Sequence, residues 1–311
     1  MIELLKFQFA IAYNNYFLTA LVIVLGIASF DSTMVEFSLA QGFAIFLFQG
    51  LSANFRSRIL TEGFQNLELF YGFRFYVGCI VFLVFLLCWM VSEVSLVFSA
   101  ILARKYFDWL SEVVITGAES KSVNIGLTVF NLMNIITGTC LGLSFFFAEQ
   151  YVSQALLIWA FSPVLFLIFN PIKPVLRRSD HLIIKGDGLS SLTLVSVILF
   201  QRVFIEHYFS TGEAADLFTA FALAGALPSF LLNVFGPSFA HRALPLIRGK
   251  HMSVLYVLVG FVALVSFFII ILTQNFMTHN SHSLLELALI VSIAGSLMMA
   301  AANILKIFML Q

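Results

Sequence analysis

Residues Leu102 to Val114 read LARKYFDWLSEVV, and they lie where an apolar chain has little reason to carry charge. Upstream, Phe75 to Ala103 is an apolar tract in which Glu93 is the only charged residue. Downstream, a second apolar tract begins within about ten residues of Val114. Either the stretch is a polar loop between two membrane spans, or it is the middle of a span. Every later loop changes sides with the answer.

The rest of the composition makes the membrane the frame for that choice. Of 311 residues 61% are hydrophobic and 10% charged, and the mean hydropathy is +1.02. A soluble domain carries about a quarter charged residues, so this chain cannot cover itself with a solvated surface. Its apolar runs approach the roughly 20 residues of a membrane helix, not the roughly 10-residue alternating strands of a barrel. The expected fold class is therefore all-α, a polytopic helix bundle. Ten spans can be read, at 11–30, 35–55, 74–92, 94–118, 123–147, 151–170, 189–209, 214–239, 252–273 and 284–305. The first carries Lys6 ahead of it and no A-x-A-like end, so a retained helix is expected rather than a cleaved signal peptide.

Sorting the loops decides the opening question. With ten spans and the N-terminus inside, one side holds Lys6, Arg56, Arg58, Arg74, Lys121, Lys173, Arg177, Arg178, Lys185, Arg242, Arg248, Lys250 and Lys306. The outside loops hold no Lys or Arg, and Arg104, Lys105 and Arg202 remain within spans. Merging 75–103 into one tilted helix instead sets Lys6, Arg56, Arg58 and Arg74 against all the later clusters. The one-sided split is what the positive-inside rule requires of a correct topology. The polar stretch thus belongs to the fourth span, with both termini cytoplasmic. At 1.5 Å per residue, Arg104 lies about 15 Å below the outer end.

Arg104, Asp108 and Glu112 recur at i, i+4 and i+8 and share one helical face, with Lys105 in reach of Asp108. Charge at the bilayer centre costs from about 2.5 kcal/mol upward, so that face must look into the bundle. A second such face is expected on the seventh span, where Arg202 and Glu206 are i, i+4 partners and His207 follows. Residues 171–188 form a basic linker, PIKPVLRRSDHLIIKGDG. It divides the chain into a six-helix lobe, 1–170, and a four-helix lobe, 189–311. A short echo between the lobes (Glu36-Phe-Ser-Leu-Ala and Asp216-Leu-Phe-Thr-Ala) accords with that division. Pro228 and Pro237 interrupt the eighth span as candidate hinges. Gly138 and Gly142 permit close helix approach, and Asn131, Asn134 and Thr137 line a cavity or bond neighbouring helices.

No catalytic constellation emerges, so no enzyme is expected. The chain has no glycine-rich phosphate loop or nucleophile elbow. His279 and His282 are a weak pair for a metal, and Cys79, Cys88 and Cys140 lie in apolar runs, read as packing residues. Neither metal nor cofactor is expected, and nothing points to nucleic acid.

Three stretches carry a family resemblance: VEFSLAQGFAIFLFQGLSANFRSRI, ARKYFDWLSEVVITGAESKSVNIGL and FQRVFIEHYFSTGEAADLFTAFALAGALPSFLLNVFGPSFAHRALPLI. In their order the chain resembles the O-antigen-type polysaccharide flippases of the multidrug/oligosaccharidyl-lipid/polysaccharide exporter superfamily. The resemblance implies two lobes around a cavity that carries lipid-linked oligosaccharide across a bacterial inner membrane. Its implied partners are that substrate, membrane lipids and polysaccharide-assembly proteins. It further implies that Arg104, Lys105 and Arg202 face the anionic part of the substrate, with Asp108, Glu112 and Glu206 as coupling or charge-balancing residues. Such proteins usually have twelve or more helices, so two are expected to be missing. Two rivals stand beside this reading, a cation-coupled multidrug exporter of the same superfamily and a non-transporting membrane assembly protein.

Overall fold

The computed structural model describes residues 2–52, 55–62, 67–91, 94–121, 123, 125–175 and 187–230, with the single positions 290 and 294. Among them there is no strand. The helices are α1 (Ile2–Ile27), α2 (Asp31–Ala44), α3 (Phe55–Glu62), α4 (Leu67–Val91), α5 (Leu96–Lys121), α6 (Leu127–Phe147), α7 (Val152–Phe169), α8 (Asp187–Tyr208) and α9 (Thr211–Phe230). Among the described residues five stretches are long and apolar enough to cross a membrane: Leu5–Ile27, Asp31–Ser52, Leu67–Leu87, Leu127–Phe147 and Glu149–Phe169. They mark the chain as a membrane-embedded helical protein. The expected spans at 252–273 and 284–305, most of the linker, Pro237 and the His279–His282 pair lie outside the described residues. Pro228 falls within the bounds of α9.

Two compact units divide the chain, one comprising Met1–Phe17 with Glu36–Phe204, the other Leu18–Val35 with Ile205–Gln311. The first is organised around α5. This helix matches the spanning helices in length at 26 residues, yet it carries four charges in its middle. It is buried almost throughout from Ala100 to Glu119, whereas α4, α6 and α7 each turn an apolar face outward. Leu83, Val129 and Ile158 are among the exposed residues of those faces. Phenylalanine serves both settings, buried at Phe37, Phe48 and Phe130 and exposed at Phe147, Phe169 and Phe200.

Close approach around α5 depends on small residues at particular places. The Tyr13 hydroxyl and the Phe17 ring of α1 occupy the space that a Cβ at Gly138 of α6 would need, while nothing lies within 4 Å of one at Gly142. Of the expected glycine pair, only the first makes a helix contact. On α2 the helix widens into a π turn at Ile45–Gln49 before a 3-10 turn at Gly50–Ser52. Gly42 and Gly50 are eight residues apart, about a fifth of a turn out of register in an uninterrupted α-helix. The π turn takes up the difference, and both glycines meet α8, Gly42 at Leu199 and Arg202, Gly50 at Leu192 and Val195.

In the second unit, α1 ends in a Schellman motif. The Phe30 amide donates to the Leu25 carbonyl at 3.0 Å and the Ser29 amide to Gly26 at 3.1 Å. Ser29 therefore holds the left-handed position, with φ of 61°, which glycine normally fills. The start of α9 is closed by the sequence Ser210-Thr211-Gly212-Glu213, a capping box. The Glu213 carboxylate accepts from the Ser210 amide at 3.0 Å and from its hydroxyl at 2.8 Å. Those two bonds hold the Glu213 carboxyl below its ordinary range.

Two outcomes follow for this unit. Ser29→Gly should raise stability by about 0.5–1 kcal/mol by relieving the left-handed serine, read as a higher thermal midpoint of the purified protein. The capping contribution of Glu213 is present above the ordinary carboxylate range and is lost as pH falls through its depressed folded value. Ser210→Ala should move the Glu213 titration back up toward the ordinary range, as followed by carboxyl NMR.

Candidate functional site

Every charge in the middle of α5 requires a partner, because an isolated charge in low dielectric is far costlier than a paired one. Arg104 is fully buried. Its Nε lies 3.0 Å from Asp108 Oδ1, one turn along the same helix. Nη1 donates to the Trp159 carbonyl at 2.8 Å and to Ser162 Oγ at 2.7 Å, both on α7. Nη2 donates to Asn134 Oδ1 on α6 at 2.9 Å. The guanidinium also lies over the Trp159 and Tyr13 rings, 5.0 and 5.5 Å from their centroids.

The availability of the Trp159 carbonyl has a sequence cause. Pro163 sits four residues later in α7 and has no amide to donate back. The carbonyl so freed accepts from Arg104, and the Ser162 hydroxyl joins at 3.0 Å. A proline inside a spanning helix thus creates the acceptor for the buried arginine.

Farther along α5, the carboxylates reach arginines on other helices. Glu112 is half-buried and accepts from Arg74 of α4 at 2.8 Å. Arg74, 1% exposed, also donates to the Trp109 carbonyl. Its guanidinium lies over the Phe55 and Trp109 rings at 4.5 and 4.9 Å. Ser52 Oγ receives the Trp109 indole N–H at 2.6 Å and donates to the Phe48 carbonyl at 3.0 Å. The irregular end of α2 is fastened here. At the last turn of α5, Glu119 accepts from Arg56 of α3 at 3.0 Å and from Gln8 of α1 at 3.3 Å, with all three side chains buried.

Lys105 differs from these arginines. It is buried and donates to the Asn14 carbonyl of α1. Among the described residues, no carboxylate lies within ion-pair distance of its ammonium. Each of the three α5 carboxylates lies against an arginine, Asp108 at Arg104, Glu112 at Arg74 and Glu119 at Arg56. Among the described residues Lys105 has no such partner.

On α8, Arg202 does not pair with Glu206, which is exposed. It donates to the Ser38 carbonyl of α2, and Gly42 leaves room for its side chain to lie along α2. His207 is exposed, edge-on to the Tyr208 ring at 4.9 Å. Asn131 donates to the Lys6 carbonyl at 3.0 Å and Thr137 to that of Met133 at 2.9 Å. With Asn134 on Arg104, α6's polar residues bond backbone and side chains inside the first unit. Cys79 and Cys140 are free and exposed. Among the described residues, no group of three His, Cys, Asp or Glu side chains is placed to hold a metal.

The sequence does not single out the partners Arg56, Arg74 and Glu119. It presents Arg56 and Arg74 as charges flanking spans, and both are instead buried within helices. Pro163 is legible as a proline inside the apolar run 151–170.

Comparison with known family models, with curated proteins and with solved structures finds no match.

Removing Arg104 alone strands a buried carboxylate, so Arg104→Ala should cost about 3–5 kcal/mol. Arg104→Ala combined with Asp108→Ala should recover most of that loss, because no uncompensated charge is left. Thermal unfolding of the two single variants and the double variant measures the coupling. Additive losses in the double variant would show that the pair is not the source of the stability.

Proposed function

We propose that this protein is a membrane transporter that carries an anionic, lipid-linked oligosaccharide between leaflets by alternating access. The observation that supports this best is Lys105, a buried cation with no carboxylate partner among the described residues. An anion drawn into low dielectric needs a compensating positive charge already in place. Arg104 has protein acceptors at both terminal nitrogens and Asp108 beside its Nε, so its role is to position Asp108 and fasten α5 to α6 and α7. Lys105, with one backbone acceptor, and Arg202, with another, keep donors for a substrate phosphate. The family resemblance carries the identity of the substrate. It also carries the setting, a bacterial inner membrane with both termini cytoplasmic, two lobes of six and four helices, and polysaccharide-assembly proteins as partners.

The cation-coupled exporter reading needs an acidic group free to bind a cation. Asp108 and Glu112 are held by arginines; Glu206, exposed on α8, is a candidate, and Glu286 lies outside the described residues. A non-transporting assembly protein needs none of these charges for its role.

Three variants separate the readings in cells that make this protein and its surface polysaccharide. Lys105→Met should reduce export at least tenfold at normal protein abundance, and Lys105→Arg should retain part of it. Glu206→Gln should leave export close to the parent level. Normal export in Lys105→Met would overturn the assignment of Lys105. Loss in Glu206→Gln alone would favour cation coupling, and export indifferent to deletion of the whole chain would leave the assembly role. For orientation, a single cysteine at Glu149 should react with an impermeant thiol reagent from the periplasmic side and one at Lys121 should not.

A further inference from the structure

Asn14 and Asn15 are adjacent in α1 but serve opposite sides of it. Asn14 turns inward: its side-chain amide donates to Ser111 Oγ of α5 at 3.1 Å, and its carbonyl accepts from Lys105. Asn15, partly exposed, turns toward α2, where its Oδ1 accepts from the amide of Gln49 at 3.3 Å. Gln49 is exposed. After that bond the pair retains the Gln49 Oε1 acceptor and, as donors, both N–H groups of Asn15 Nδ2 and the second N–H of Gln49 Nε2. Both belong to the first unit.

The depth of this pair is what makes its exposure informative. Asn15 lies seven residues along the continuous helix α1 from Gln8, which is about 10 Å farther into the span. Gln8 marks the polar cluster with Arg56 and Glu119, so Asn15 sits above that cluster within the apolar stretch Leu5–Ile27, and Gln49 meets it from the last turn of Asp31–Ser52. An amide facing hydrocarbon without a partner is unfavourable by several kcal/mol, so the face that bears Asn15 and Gln49 is wet. A second, independent feature lies at the same place. Gln49 closes the π turn of α2, and such turns occur preferentially where a helix serves a ligand.

We propose that Asn15 and Gln49 form a neutral subsite that binds a hydroxyl-rich, sugar-like headgroup. The chemistry favours that class over phosphate. A hydroxyl both donates and accepts, matching the exposed donors and acceptor, whereas a phosphate dianion offers only acceptors and would meet the Gln49 carbonyl oxygen unfavourably. This assignment rests on the transporter reading and divides the labour within it, with charge at Lys105 and Arg202 and sugar recognition at the amide pair.

The test uses the purified full chain in nanodiscs, with Cys79, Cys88 and Cys140 replaced by alanine and one reporter cysteine in place of Phe46, in the same π turn. A charged methanethiosulfonate reagent should label position 46 at least tenfold faster than a cysteine at Leu83, on the exposed apolar face of α4. Hexyl β-glucoside should slow that labelling at least threefold and saturably, and hexyl phosphate should not. Gln49→Met and Asn15→Leu should each abolish the protection, read as the ratio of labelling rates with and without the glucoside. Labelling at 46 no faster than at 83, equal protection by both amphiphiles, or protection that survives Gln49→Met would each overturn the subsite. Labelling and protection do not require transport, so they stand or fall separately from the export results for Lys105. Retained protection with export indifferent to deletion of the whole chain would sink the transporter reading and keep the sugar site.

Discussion

The constraint on which the first unit depends is that charge inside a membrane must be matched where it stands. Helix α5 brings Arg104, Lys105, Asp108, Glu112 and Glu119 into a setting where an unpaired ion costs several kcal/mol. Asp108 is answered from its own helix. Glu112 and Glu119 are answered by Arg74 and Arg56, which fixes α4 and α3 beside α5. The guanidinium of Arg104 reaches α6 and α7 together. Matching charge thereby selects the neighbours of the central helix, and apolar packing fills in around that choice.

Backbone carbonyls do much of what side chains do not. Arg104, Arg74, Lys105 and Arg202 each end on a main-chain oxygen. Such oxygens are spare only where a helix is interrupted or shares an acceptor. Pro163 supplies the interruption in α7. In α2 the π and 3-10 turns supply another, and Ser52 bonds the Phe48 carbonyl there while receiving Trp109. Polar groups enter at both irregular places, and elsewhere, as at Ser38, Asn14 and Trp109, a helical carbonyl shares its acceptor. In that light α5 has two kinds of charge, those saturated within the unit and Lys105, which is not.

How much of this the sequence displayed depends on the range of the interaction concerned. The shared face of Arg104 and Asp108 follows from helical periodicity, and their separation of four residues forecasts the pair that forms. By the same rule Arg202 and Glu206 were expected to pair. Proximity along a helix permits an ion pair without requiring it, and the Ser38 carbonyl offered Arg202 a better-shielded acceptor. The α5 partners Arg74 and Arg56 are dozens of residues away in the chain. Nothing local distinguishes them from lysines and arginines that flank spans merely to set topology. The short helix α3 was hidden for a related reason, as its eight residues carry too little apolar periodicity to stand out.

By itself the sequence determined that the chain is helical and membrane-embedded, because an apolar composition with so few charges leaves backbone groups no other way to be satisfied in lipid. It also determined that the LARKYFDWLSEVV segment faces inward, because charge at that depth cannot face hydrocarbon. Only the tertiary structure decided which cations are consumed in holding helices together and which is left over. That decision depends on distances of about 3 Å between groups on different helices. Periodicity reports the face a residue occupies, and packing alone sets what stands opposite it.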